Sequence, residues 1–259
     1  MTLASRSLSF KPLLQRSAVA IAVATLCAGA SAALQPFKFN PAAAGLAGAL
    51  FSADNVLISD YSAALLSGST FSESGYLSVS AFQLGGTTII PTGLNSTWGM
   101  YIKFNGAGTT TSPTTGTFTS LDYTLYGYNG SATFGFTGNT PTETATGEVT
   151  LASGSLIYGG TTSSGSGTSF TPSANANLTF NTSGAPVGFF DSPKPFYNLA
   201  ITAFTNTSSE VETFDGGFRI RQGGGSINFA TSPIPEPGTF ALMLGGLAAI
   251  GFVARRRST

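Results

Sequence analysis

The chain has no histidine, a single cysteine, and only 8% charged residues across its 259 positions. Without imidazole, Ser-His-Asp and Cys-His catalysis fall away, as do histidine-ligated zinc sites. Cys27 is the only thiol and stands near the start of the chain, so the body has neither a disulfide framework nor a thiolate cluster. Charge is also unevenly spread. Arg6, Lys11 and Arg16 precede the first apolar run, and Arg255, Arg256 and Arg257 follow the last. Between them only Lys38, Lys103, Lys194, Arg219 and Arg221 face ten acids, which gives the body a net charge of −5. A mildly acidic body with scattered bases lacks the electrostatic footprint of a nucleic-acid binder. Long helices are disfavoured too, because the body is rich in Gly, Ser, Thr and aromatic residues and poor in Lys and Glu.

What is present divides the chain into three. Residues 1–32 read as a secretory signal peptide: a basic start, the apolar run of residues 18–26, and Ala30-Ser31-Ala32 as the small-residue cleavage pattern, with Ala30 and Ala32 at the positions that matter. Cys27 belongs to this leader. Residues 33–230 form an exported domain, and residues 231–259 a tail. In the body, Leu77, Val79 and Ala81 alternate with Ser78 and Ser80, and Leu121, Tyr123 and Leu125 with Asp122 and Thr124. Ala176, Leu178 and Phe180 repeat the pattern, as do Tyr197, Leu199, Ile201 and Ala203, and Phe218 and Ile220 between Arg219 and Arg221. Period-two alternation predicts strands with one buried face. Asn105-Gly106, Asn129-Gly130 and Asp215-Gly216 are hairpin-turn signals between them. The fold class expected is all-β, an antiparallel β-sandwich or jelly roll. Residues 55–66 suit a short helix or a strand equally. Residues 106–116 and 159–169, dominated by Thr, Ser and Gly, are expected to be loops, with 223–225 a shorter interruption.

Candidate chemistry is sparse. Asp54, Asp60, Glu73, Asp122, Glu143, Glu148, Asp191, Glu210, Glu212 and Asp215 are the carboxylates from which a glycosidase pair would be drawn. None sits in a signature that fixes a role, so no catalytic residue is assigned. Glu210, Glu212 and Asp215 lack the spacing of a known calcium loop, and no metal or cofactor is expected. Trp98, Tyr101, Tyr123, Tyr126, Tyr128 and Tyr197 are the rings available for sugar stacking. Tyr126 and Tyr128, on one face beside Asn129-Gly130, are the pair singled out for glycan contact at a hairpin tip. Packing is the competing role, since 21 phenylalanines make most rings core filler. Asn-x-Ser/Thr sequons occur at Asn95, Asn129, Asn177, Asn181 and Asn206.

The tail is the most specific stretch. Pro235-Glu236-Pro237 is a stiff extended triplet. Residues 238–254 run 17 positions without a charge, long enough as a helix to nearly span a hydrocarbon core of about 30 Å. Arg255, Arg256 and Arg257 then form a basic stop. This order resembles the PEP-CTERM tail of proteins exported by Gram-negative bacteria. The resemblance implies processing by an exosortase, a membrane-embedded cysteine transpeptidase, and a neighbourhood of exopolysaccharide genes. It also implies export by the general secretory pathway and transient anchoring in the inner membrane before release to the surface or matrix.

Several body segments are similar to the flocculation-associated PEP-CTERM proteins. They are Gln35-Pro36-Phe37-Lys38-Phe39, the runs at residues 69–75 and 93–101, Phe196-Tyr197-Asn198-Leu199, and residues 213–218. That likeness implies a non-enzymatic partner of exopolysaccharide that promotes cell aggregation. A discrete carbohydrate-binding module, or a carboxylate glycosidase acting on exopolysaccharide, are the alternatives.

Overall fold

The computed structural model describes residues 34–89, 92–166 and 169–231. The strands, in chain order, begin with β1 (Phe37–Phe39), β2 (Phe51–Ala53), β3 (Asn55–Ser67), β4 (Thr70–Leu84) and β5 (Thr87–Thr88). They continue with β6 (Trp98–Ser112), β7 (Thr115–Asn129), β8 (Phe134–Thr137), β9 (Thr140–Glu143) and β10 (Val149–Ser166). The last are β11 (Ser169–Thr179), β12 (Phe190–Ser192), β13 (Leu199–Thr205), β14 (Val211–Phe214) and β15 (Gly217–Ala230).

The architecture is all-β and antiparallel, as the alternation predicts. One large sheet runs β13-β11-β10-β7-β6-β4-β3-β15-β14. Its halves enclose a common core as sandwich layers do, and a further ladder from β13 to β15 joins their edges. Eight strands thereby close into a ring, in the sequential order of a meander rather than the crossed order of a jelly roll. Closure leaves those eight strands no free edge and explains how so uncharged a surface escapes edge-to-edge pairing. β15 is long enough to pair with β14 through Gly217–Ile220 and with β13 through Gly224–Ala230. The switch falls at Gln222, whose φ of 64° marks a bulge in the ladder with β3.

Residues 55–66 settle as strand β3. The segments expected as loops are strand pairs instead. Residues 106–116 zip from Gly106↔Leu121 to Ser112↔Thr115 around a two-residue turn. Residues 159–166 pair with residues 169–176, from Gly159↔Ala176 to Ser166↔Ser169. Threonine is β-branched and suits a pleated strand, so a Thr-rich run joined by a short turn orders itself cheaply. Several glycines there mark close approach rather than flexibility. A Cβ on Gly108 would stand 2.3 Å from the Phe71 ring, and one on Gly159 2.6 Å from the Asn175 carbonyl. Gly223 is the same case, inside β15 against the Asn206 side chain.

The small sheet β12-β1-β2 seals one end of the ring. Alternation in β1 sends both Phe37 and Phe39 inward, and neither is more than 1% exposed. Phe39 is the centre of the seal. Its ring packs on Phe37, Phe51, Phe82, Phe189, Phe190, Phe196 and Phe229, with centroids 4.7 to 6.1 Å apart. Trp98, fully buried at the start of β6, stacks on Phe82 and donates its indole N–H to the Thr92 carbonyl at 2.7 Å. At roughly 1.5–3 kcal/mol per buried ring, these aromatics supply much of the core's stabilisation.

Candidate functional site

Above the aromatic seal the ring encloses a cavity of about 370 Å³. Its wall is mostly apolar, with Phe71, Leu77, Phe104, Phe118, Leu125 and Phe218 among the residues that line it. Two carboxyls share that interior. In β3 the inward positions are Val56, Ile58, Asp60, Ser62 and Ala64, so the pleat that buries the valine and isoleucine also buries Asp60. Asp60 is 4% exposed. On β4, Glu73 lies opposite Ala64 and faces the same space, retaining some accessible surface because the cavity itself is open beside it. Ser62, fully buried between them, donates its hydroxyl to Glu73 Oε1 at 2.9 Å. Gly75 makes room for that serine: a Cβ there would meet the Ser62 Cβ at 2.7 Å.

Burial raises the Asp60 carboxyl well above its ordinary value, the Glu73 charge adds to the rise, and the Ser62 hydroxyl partly offsets it. Burial raises Glu73 as well, again with Ser62 opposing. Two carboxyls this close and this dry resist ionising together. Asp60 Oδ1 has no hydrogen-bond partner. Asn206, 3% exposed, also lines the cavity; its amide donates to the Pro172 carbonyl at 3.1 Å while its Oδ1 is unpartnered. Away from the seal the cavity is bordered by hydroxyl side chains, among them Thr110, Ser112, Thr114 and Thr162.

The outer face carries a second aromatic group. Tyr126 and Tyr128 do share a face, as their spacing predicts. Tyr101 stacks on Tyr126 at 5.2 Å and meets Tyr128 at 6.1 Å. The place is not a hairpin tip, however. After Asn129 the chain turns into the β8–β9 hairpin, which brings Phe134 within 5.6 Å of Tyr101. Arg219 holds that hairpin, bonding to Glu212 through its Nε at 2.8 Å and to the Gly138 carbonyl, and lying over the Phe136 ring. Tyr128 is 1% exposed, packed against Gly99 and Tyr101, and has no face free for a sugar; Tyr126 keeps partial exposure. Tyr101 is buried, donates to Glu148 Oε1 at 2.7 Å, and has its hydroxyl pKa raised first by burial and then by that bond.

Most of the remaining rings and acids have local partners. Tyr123 donates to the Thr179 carbonyl and Tyr197 to the Pro36 carbonyl, both from buried positions. Asp54 accepts from the Gly85 amide, Glu143 from Ala145, and Asp191 pairs with Lys194 at 3.6 Å. Glu210 accepts from the Thr207 amide and Glu212 pairs with Arg219 and Arg221, so with Asp215 they form no shared cation cage. Asp122 and Asp215 are exposed. Among the sequons, Asn129 is tied to Gly45 and Ala47, and Asn206 is buried. The sequence named Asp60 and Glu73 among ten acids without joining them. The signal was there in β3, where an aspartate occupies an apolar-face position.

Ala30, Ala32, Pro235, Glu236, Pro237, Arg255, Arg256 and Arg257 lie outside the described residues. For the tail the decisive observation is a family match: residues 233–257 fit the PEP-CTERM protein-sorting motif. This chain carries a PEP-CTERM sorting tail. The motif marks the protein for export and for exosortase processing. The PEP-CTERM match accounts for the proline triplet, the uncharged run and the arginine stop as one unit. No curated protein and no solved structure matches the chain.

Proposed function

We propose that this exosortase-targeted protein is a non-enzymatic component of the extracellular matrix that associates with exopolysaccharide and promotes cell aggregation. The observation that carries the reading is the surface of the β6–β7 hairpin. Residues 109–115 are all exposed and uncharged, and their hydroxyls form a local network, Thr111 to Thr115 at 2.8 Å and Ser112 to Thr115 at 2.7 Å. Such a surface offers donors and acceptors to polysaccharide hydroxyls while its low charge gives little self-repulsion. The sorting tail supports the same reading by delivering the body to where exopolysaccharide lies.

A stacking platform at Tyr126 is less favoured because Tyr128 and Tyr101 are covered. A glycosidase built on Asp60 and Glu73 is less favoured because phenylalanines, rather than groups that hydrogen-bond sugar hydroxyls, surround the pair. Deleting residues 233–259 from the chromosomal copy should abolish flocculation, and restoring them should recover it. Normal settling of the deletion strain would overturn the reading.

A further inference from the structure

The cavity goes beyond matrix association, because nothing in a purely adhesive role uses an apolar space inside the ring. We propose that it is a binding site for a small lipophilic amine, whose apolar body fills the phenylalanine-lined space and whose ammonium group is received by Asp60 and Glu73.

Three independent features point there. The volume of about 370 Å³ lies within the range of small-molecule pockets, and closed eight-stranded barrels are wide enough to hold one such ligand. The wall is apolar over most of its area, so the ligand's body must be apolar too. The polar groups inside are acceptors in need of donors. Asp60 Oδ1 is buried and unpartnered on the cavity. Native interiors rarely leave such atoms unsatisfied. The Ser62 hydroxyl donates to Glu73 and leaves Asp60 Oδ1 without a partner. Among the described residues no lysine or arginine lines the cavity to neutralise the pair. An ammonium brought by the ligand would supply the missing donor and let the pair give up the proton it otherwise keeps, since a carboxylate in dry surroundings is stabilised most by a paired, hydrogen-bonded cation.

Head-group discrimination follows from the same chemistry. An alcohol donates one hydrogen bond and brings no charge. A carboxylate of equal chain length adds a third acid to the two already present and should be rejected.

The test is calorimetric titration of the exported protein with decylamine, decanol and decanoate, which share one apolar body. Decylamine should bind with one-to-one stoichiometry, at least tenfold tighter than decanol, and decanoate more weakly than either. Asp60→Asn should bring decylamine down to the affinity of decanol while leaving decanol unchanged. Ala200→Leu, placed on the lining and 3% exposed, should weaken the amine and the alcohol alike by filling space. Near-ultraviolet circular dichroism of each variant confirms the fold. The proposal is overturned if none of the three ligands binds, if the three bind equally, or if Asp60→Asn leaves the amine's affinity unchanged. Flocculation assays are independent of these titrations, so either reading can fail alone.

Discussion

Replacing Phe39 with alanine should be among the most damaging single changes in the body. The ring is fully buried and packs against seven others at 4.7 to 6.1 Å. Truncating a buried phenylalanine costs about 3–5 kcal/mol, made up of lost transfer energy and the cavity left behind. The upper half of that range applies here, because collapse is needed to soften the cost and the neighbours resist it. Phe82 is held on β4 and Phe229 on β15, both in the closed ring, while Phe190 is held on β12 of the seal. A loss of about 4 kcal/mol corresponds to a fall in Tm of roughly 8–16 °C for a domain of this size. Urea denaturation followed by tryptophan fluorescence is the natural assay, since Trp98 lies in the same aromatic group. Val187→Ala, at a side chain 97% exposed, is the control and should change stability by less than about 0.5 kcal/mol. If Phe39→Ala cost less than about 1 kcal/mol, the small sheet would not be the seal described, and the reasoning would fail.

Two further outcomes follow from the packing. Because burial raises the Asp60 and Glu73 carboxyls, the folded state keeps protons that the unfolded chain releases. Their contribution to stability is therefore complete below the ordinary carboxylate range, near pH 4, and is lost as pH rises through the folded-state values, by up to about 1.4 kcal/mol per pH unit for each proton. Urea midpoints measured across this range should decline with rising pH in the wild type, and the combined Asp60→Asn and Glu73→Gln variant should show a flatter curve. On the outer face, Gly99→Ala would place a methyl 2.2 Å from the Tyr128 ring, whose side chain is only 1% exposed. It should cost about 1–3 kcal/mol by overpacking, read as a lowered urea midpoint.

Much of the fold was legible because alternation records the buried face in most strands, though not in β13, where Ala200 and Thr202 turn inward and Ile201 is 40% exposed. Leu77 and Val79, Tyr123 and Leu125, and Ala176 and Leu178 all point inward as their spacing predicts. The Thr- and Gly-rich runs are ordered although their composition suggests a high entropic cost. In the closed ring, each such run is half of a hairpin whose partner is a few residues away, and Gly108 and Gly159 are small because rings and backbone crowd them. The shared face of Tyr126 and Tyr128 was legible; its cover was not. That depends on residues 130–148 folding back, anchored by an arginine about eighty positions further along. The carboxyl pair was hidden for a similar reason. Asp60 and Glu73 come together only through the β3–β4 register, and an acid at an apolar position is easily passed over when only the apolar positions are counted. The sorting tail needed no such register, since its three parts follow one another along the chain.

Cell fractionation of strains carrying the intact tail or Glu236→Ala, with the body followed by mass spectrometry, would decide whether the tail governs delivery to the matrix. With Pro235-Glu236-Pro237 intact, the body should appear in the extracellular polysaccharide fraction and lack the C-terminal residues. The Glu236→Ala chain should remain full-length in the membrane fraction. Identical distribution and length of the two proteins would contradict this view of how the protein reaches its place of work.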